Sequence, residues 1–79
     1  MYYKLQSHIL RNHLASHVFF KTDDKNTSFE SVVIGKNKRV PWARLESSDS
    51  PLDTDNCDII TEKEYKRQYD LCIDLMTGV

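Results

Sequence analysis

The sequence predicts a small α+β protein in which two helices flank a three-stranded antiparallel sheet. Apolar residues recur at helical spacing near both ends of the chain, and aromatic and β-branched runs separated by turn-forming residues fill its middle. A chain of 79 residues is too short for two domains, because neither half would bury enough apolar area to fold. We therefore treat residues 1–79 as one domain.

The first element is expected to be a helix over residues 3–16. Four apolar side chains share one broad helical stripe in this segment, namely Leu5, Ile9, Leu10 and Leu14. The opening pair of tyrosines is more typical of a strand. A strand over residues 1–6 is therefore the alternative for the start of the chain.

Residues 17–45 are expected to form a three-stranded antiparallel meander. Its strands are assigned to residues 17–22, 28–34 and 39–45. An Asp-Asp-Lys-Asn turn separates the first two strands, and a turn containing Gly35 and Asn37 separates the last two. Pro41 has no backbone N–H to donate, which places the third strand at an edge of the sheet.

Apolar side chains occupy both faces of the predicted sheet. Phe19 and Phe20 are consecutive, as are the three apolar residues 32–34, so each run places side chains on both sides. An antiparallel sheet with one face in water alternates apolar and polar residues instead. Either the two helices cover opposite faces, or the second face contacts another chain, and this pattern favours an interaction protein.

The last third of the chain is expected to be an acidic loop over residues 46–60 followed by a C-terminal helix over 62–77. The loop is rich in Ser and Asp and has no periodicity, and loops this long are often functional or mobile. Thr61 and Glu64 have the spacing of a capping box. The apolar face of the helix is formed by Tyr65, Tyr69, Cys72, Ile73 and Met76, and Gly78 ends it.

Charge is segregated along the chain. Residues 1–44 carry eight basic and three acidic side chains, whereas residues 45–79 carry three basic and nine acidic ones, for a formal net charge of −1. One interpretation is a dipolar molecule that steers charged partners towards its ends. The other is that the two halves pair with each other in the fold.

The cysteine content favours a reducing compartment. Cys57 and Cys72 allow at most one disulfide bond, too few for a small secreted domain, so we expect a cytoplasmic protein. The first ten residues lack a secretory pattern, and no apolar run reaches the roughly 18 residues of a membrane span. A short chain without disulfides is marginally stable, so a partner or a homodimer would stabilise it.

A basic hairpin around Trp42 is the first candidate binding site. Its cations are Lys36, Lys38, Arg39 and Arg44. Trp and Arg are typical of the energetic centres of protein interfaces, and an aromatic ring beside cations also suits RNA or single-stranded DNA. The third interpretation is a solvated turn with its tryptophan in the core. A pI of about 6.3 argues against a dedicated nucleic-acid binder.

The acidic loop is the second candidate binding site. Its carboxylates are Asp49, Asp53, Asp55 and Asp58, and they would complement a basic surface on a protein partner. In manner the chain is similar to small phage or mobile-element proteins, being compact and rich in Lys, Asn, Asp, Ser and Tyr. Many such proteins occupy the surface of a host protein, so the resemblance implies a host-protein partner. The acidic loop favours a partner surface that normally holds nucleic acid.

Metal binding and catalysis have less support. His8, His13 and His17 cluster, but they lack the neighbouring Glu of a zinc hydrolase and a close cysteine pair. Residues 53–64 resemble a calcium loop only in part, because Cys57 and Asp58 are unsuitable at the fifth and sixth positions of such a loop. No phosphate loop or nucleophile elbow is present, so we expect no metal and no cofactor.

These observations predict a non-enzymatic cytoplasmic protein that modulates or inhibits a protein partner. The first alternative is an RNA or single-stranded DNA binding module that uses the basic hairpin. The second alternative is a small metal- or histidine-dependent enzyme.

Overall fold

A computed structural model describes residues 1–9 and 15–77, which form five strands and one helix. In chain order these are β1 (Tyr2–Leu5), β2 (Ala15–Thr22), β3 (Phe29–Asn37), β4 (Val40–Ser48), β5 (Cys57–Ile59) and α1 (Glu62–Thr77). The strands make one sheet in the order β4-β3-β2-β1-β5, and every neighbouring pair is antiparallel. The fold is therefore α+β, with its helix at the C-terminal end of the described chain.

The predicted N-terminal helix over residues 3–16 is wrong. Tyr3 lies opposite Phe20 of β2 on one side and opposite Ile59 of β5 on the other, so β1 is an inner strand of the sheet. Hydrogen bonding to a strand on each side satisfies the backbone groups of β1. This stabilisation outweighs the helical tendency of the segment, which rests on the spacing of only a few apolar residues. The alternative of a strand at the start of the chain is correct for residues 2–5. Residues 10–14 of the predicted helix lie outside the described residues.

The predicted three-stranded sheet is also wrong. Its three segments lie in β2, β3 and β4, but β1 and β5 extend the sheet to five strands. The acidic loop predicted over residues 46–60 is shorter, because β4 continues to Ser48 opposite Phe29 and β5 lies at residues 57–59. Polar residues flank both of these short stretches, so the sequence shows no alternation of apolar and polar residues that would predict a strand there. The edge position predicted from Pro41 is correct, since β4 is the outermost strand.

The main core lies between α1 and one face of the sheet. Its buried residues are Phe19, Val32 and Ile34 from the sheet, with Tyr65 and Cys72 from the helix. Phe19 and Val32 are opposite each other in the register of β2 and β3, and opposed residues of an antiparallel pair share a face. The helix predicted over residues 62–77 is confirmed. No helix in the described ranges has the length and apolar character needed to cross a membrane.

Two polar contacts fix the position of α1. The Thr61 hydroxyl accepts a hydrogen bond from the Glu64 backbone N–H at 3.1 Å, as the capping-box spacing predicts. The Tyr65 hydroxyl donates to Glu30 Oε1 of β3 at 2.8 Å, and its ring lies 5.2 Å from that of Tyr2. Burial raises the pKa of Tyr65 far above its usual value, and the hydrogen bond to the Glu30 carboxylate raises it further. The helix is thus joined to the central strands near its first turn.

The buried position of Val32 predicts a large loss of stability on truncation. Val32 is 0% exposed, and we expect Val32→Ala to lower the unfolding free energy by about 2 kcal/mol through lost transfer energy and the cavity left behind. Val40→Ala is the matched control, because Val40 is 64% exposed, and it should change stability little. Urea unfolding of both variants measures the difference, and equal effects would contradict this description of the core.

The raised pKa of Tyr65 predicts a stability loss in alkali. Above the ordinary tyrosine pKa of about 10 the unfolded chain releases this proton more readily than the folded one, so the unfolding free energy falls as pH rises. One such proton accounts for at most roughly 1.4 kcal/mol per pH unit. Urea unfolding across this pH range should show a shallower alkaline decline for Tyr65→Phe than for wild type. Parallel curves would show that Tyr65 ionises normally.

Candidate functional site

The sheet face opposite α1 is rich in apolar and aromatic side chains. We name it the aromatic face and define it by Tyr3, Leu5, Val18, Phe20, Phe29, Val33 and Trp42. Strand alternation places these residues on the opposite side from Phe19 and Val32. Within residues 1–9 and 15–77, the only helix packs on the other face, so the larger side chains of the aromatic face are only partly buried.

A second small core lies beneath these larger side chains. Val18 and Val33 are 9% and 7% exposed, and they pack with Leu5, Phe20 and Trp42. The Phe20 and Phe29 rings meet edge to face with their centroids 5.7 Å apart. Cross-strand contacts therefore hold the rings in fixed positions, so a ligand that docks there meets an ordered surface.

Trp42 and Arg44 form a contact pair on β4, where residues two positions apart share one face of the strand. The Arg44 guanidinium lies 5.6 Å from the centroid of the Trp42 ring, which is within the range of a cation–π contact. Arg44 also forms an ion pair with Glu46, the next residue on the same face. Both charged side chains are at least half exposed, so the pair orients Arg44 without burying its charge.

The other cations lie at the tip of the hairpin between β3 and β4. Lys38 and Arg39 form a two-residue turn with φ angles of 49° and 74°, and both values are in the left-handed region. This is the type I′ turn that matches strand twist, and it usually contains Asn and Gly. A shallow cavity of about 520 Å³ lies beside the tip and is lined by Asn37, Lys38, Val40 and Trp42. The Trp42 side chain thus shares this cavity with the exposed Lys38 side chain. Lys36 lies opposite Pro41, so strand alternation places its side chain on the other face from Trp42.

Asp49 lies far from Trp42. It directly follows β4, seven extended residue steps after Trp42, which correspond to roughly 23 Å. The loop beyond it is tied to the turn between β2 and β3, since Asn26 Nδ2 donates to the Leu52 carbonyl at 3.0 Å and Leu52 N–H donates to Asn26 Oδ1 at 2.9 Å. Asp49 therefore lies at the opposite end of β4 from the basic hairpin, and the loop continues to β5 at the far edge of the sheet. The basic hairpin and the acidic loop are thus two separate surfaces.

Two of the acidic side chains, those of Asp53 and Asp58, have local contacts. Asp53 Oδ1 accepts a hydrogen bond from the Asp55 N–H at 3.0 Å, which stabilises the loop. Asp58 lies on β5 opposite Lys4 and accepts from Gln6 Nε2 at 3.1 Å. Asp58 therefore also helps to attach the edge strand β5 to β1.

The aromatic residues of β1, β2 and β3 are not among the binding residues predicted from the sequence. Tyr3, Phe20 and Phe29 extend the surface around Trp42 to most of the sheet. The consecutive Phe19 and Phe20 were the available signal, because alternation forces one of them onto each face. The sequence could not show which of the two faces the helix covers.

No group of three metal-ligating side chains occurs in the described parts of the chain. His8 and His17 are exposed, the His17 ring stacks near Phe19 at 6.2 Å, and His13 lies outside the described residues. The segment that resembles a calcium loop contains β5 and the start of α1. Cys57 and Cys72 are free thiols, and burial raises the pKa of both, with Asp53 and Asp58 contributing at Cys57.

No protein-family model, curated protein or solved structure matches this chain.

The tip of the hairpin yields a stability prediction. Lys38→Asn combined with Arg39→Gly should raise the unfolding free energy by about 1 kcal/mol, because Asn and Gly adopt positive φ at lower cost than Lys and Arg. Thermal or urea unfolding measures the gain. Lys36→Asn is the control, because it also removes a cation from the hairpin, but Lys36 is in β3 and not in the turn. An unchanged or lower stability for the double variant would contradict the turn geometry.

Proposed function

We propose that this protein is a non-enzymatic binding protein that modulates or inhibits a protein partner through its aromatic face. The observation that carries the proposal is the position of Trp42 and Arg44 at one side of an ordered, partly exposed apolar surface. Contiguous apolar patches of this kind mark interaction sites, and Trp and Arg contribute most strongly to protein interfaces. Trp42 is the proposed anchor, and Arg44 adds a directional polar contact.

The charge distribution favours a protein over nucleic acid as the ligand of this face. Arg44 lies over the Trp42 ring, and its charge is partly neutralised by Glu46. Surfaces that stack bases combine their rings with several cations that track the phosphate backbone. Of the other hairpin cations, Lys38 and Arg39 are at its tip and Lys36 lies on the other face of β3, so they do not form a row along the aromatic face.

The acidic loop supports a partner with a basic surface. Asp49, Asp53 and Asp55 are exposed, and a local field of one sign accelerates association with the opposite charge. A host protein that handles nucleic acid carries such a surface, and we propose a partner of that class. Two free thiols support a reducing, cytoplasmic location for the interaction.

Trp42→Ala should weaken binding to such a partner by about 2 kcal/mol, or roughly thirtyfold in Kd. Partners are first captured on the immobilised wild-type protein, then purified and titrated by calorimetry. Leu71→Ala is the control, because Leu71 is an exposed apolar residue on the helix, away from the aromatic face. Equal affinity of both variants for the purified partner would contradict the proposed anchor.

The contribution of the acidic loop to binding is tested separately. Asp53→Asn together with Asp55→Asn should slow association several-fold and reduce its dependence on salt, while dissociation changes little. Stopped-flow or surface-plasmon kinetics with the same purified partner measures both rates. If these changes and Trp42→Ala all leave binding intact in folded protein, the proposed function is wrong.

RNA or single-stranded DNA is the second candidate ligand, favoured by the exposed Lys38 in the cavity beside Trp42. If Lys36, Lys38 and Arg39 neutralise three phosphates, log K should fall with log salt with a slope of about −2. Fluorescence anisotropy with a labelled oligouridine and a labelled oligothymidine measures this slope. Tight binding with that slope, lost in Trp42→Ala, would replace the protein partner with nucleic acid.

A further inference from the structure

The outer edge of β4 carries backbone groups that face away from the sheet. β4 is paired with β3 through nine consecutive residue pairs with no bulge, and no other described strand lies on its outer side. The two-residue turn makes Asn37 and Val40 a hydrogen-bonded pair, and hydrogen-bonded and non-hydrogen-bonded pairs then alternate along the ladder. The N–H groups of Ala43, Leu45 and Ser47 consequently point outward.

This edge has little protection against pairing with another strand. Proteins usually block an exposed edge with proline, a bulge or a very short strand. Pro41 removes one outward donor near the hairpin tip, but residues 42–48 continue without a bulge. Leu45 lies at the middle of this open stretch and is 36% exposed, although it shares the helix side of the sheet with Val32.

We propose that a second copy of this chain pairs antiparallel with this edge, on a two-fold axis through Leu45. In that register Leu45 lies opposite Leu45 of the second copy, and Ala43 lies opposite Ser47, so that outward donors meet outward acceptors. Arg44 then lies directly opposite Glu46 of the second copy, and the symmetry forms this contact twice. Opposite charges facing each other across strands stabilise a pair, most closely at non-hydrogen-bonded positions such as this one.

Charge and chain geometry disfavour the neighbouring registers. A two-fold axis at Arg44 places two arginines opposite each other, and an axis at Glu46 places two glutamates opposite each other, both of which are destabilising. An axis at Ala43 brings Pro41 opposite Leu45, where a backbone donor is missing. An axis at Ser47 leaves most of the partner strand beyond the end of β4. The pattern Arg-Leu-Glu at residues 44–46 is therefore self-complementary in one register.

Such a dimer has a continuous ten-stranded sheet with the two helices on one side. The two aromatic faces lie side by side on the other side, which doubles the surface offered to a ligand. The inference is independent of the proposed function, because it rests on the edge of β4 and not on what binds the aromatic face.

Charge reversal tests the register. In the proposed dimer residue 44 of each copy faces residue 46 of the other. A homodimer of Arg44→Glu therefore has glutamate at all of these facing positions, and a homodimer of Glu46→Arg has arginine at all of them. Each variant alone should have a dimer dissociation constant at least about tenfold above that of wild type. An equimolar mixture should form heterodimers with near wild-type affinity, because every facing pair is then Arg with Glu. Sedimentation velocity over a range of concentrations measures all three samples, and circular dichroism checks that each variant is folded.

The mixture separates this proposal from a purely intramolecular role of the ion pair. Both variants lose the Arg44–Glu46 contact within a chain, and mixing cannot restore it. If the mixture stays monomeric while wild type dimerises, the register is wrong. If wild type is monomeric from micromolar to millimolar concentration, the dimer itself is wrong.

Backbone amide exchange gives a second readout that needs no substitution. Raising the concentration of wild-type protein should slow exchange at Ala43, Leu45 and Ser47, because dimer formation hydrogen-bonds their outward N–H groups. The N–H groups of Arg44 and Glu46 already bond to β3 and should respond much less. Equal responses at all of these positions, or none, would overturn the proposal.

Discussion

The packing of α1 on one face of the sheet determines the rest of this structure. Tyr65 and Cys72 of the helix bury Phe19, Val32 and Ile34, and the described ranges contain no further helix that could cover the opposite face. Aromatic side chains nevertheless lie on that opposite face, where they pack against Val18 and Val33. A partly exposed apolar surface is costly in water, and a ligand that covers it recovers hydrophobic free energy. The proposed binding function follows from this asymmetry between the two faces.

The sheet separates surfaces of different chemistry that the linear sequence could not place. The cations of the hairpin lie at one end of β4, and the acidic loop begins at the other. Between them, along the outer edge of β4, residues whose backbone N–H groups point outward alternate with the charged residues Arg44 and Glu46. A partner on the aromatic face and a second copy on the edge are therefore compatible, because they use different groups of the same strand.

The elements defined by local chemistry were predictable from the sequence, and those defined by pairing were not. The helix over residues 62–77 has its own cap at Thr61 and a regular apolar face, and its start is confirmed, whereas the predicted stop at Gly78 lies outside the described residues. β1 is specified by neighbours on both sides, Phe20 and Ile59, which are distant in the sequence. For the site, the spacing of two residues between Trp42 and Arg44 places both on one face of a strand, which accounts for their contact. The distance of the acidic loop from that pair depends on strand register, which a sequence does not contain.

The accessibility of the aromatic face is the measurement that tests this account most directly. A soluble paramagnetic agent broadens the NMR signals of side chains in proportion to their exposure to solvent. In dilute protein the ring protons of Phe20 and Trp42 should broaden strongly, whereas those of Phe19, which is 3% exposed beneath the helix, should not. If Phe20 and Trp42 are as well protected as Phe19 in the monomer, the aromatic face is already covered, and the proposed binding surface does not exist.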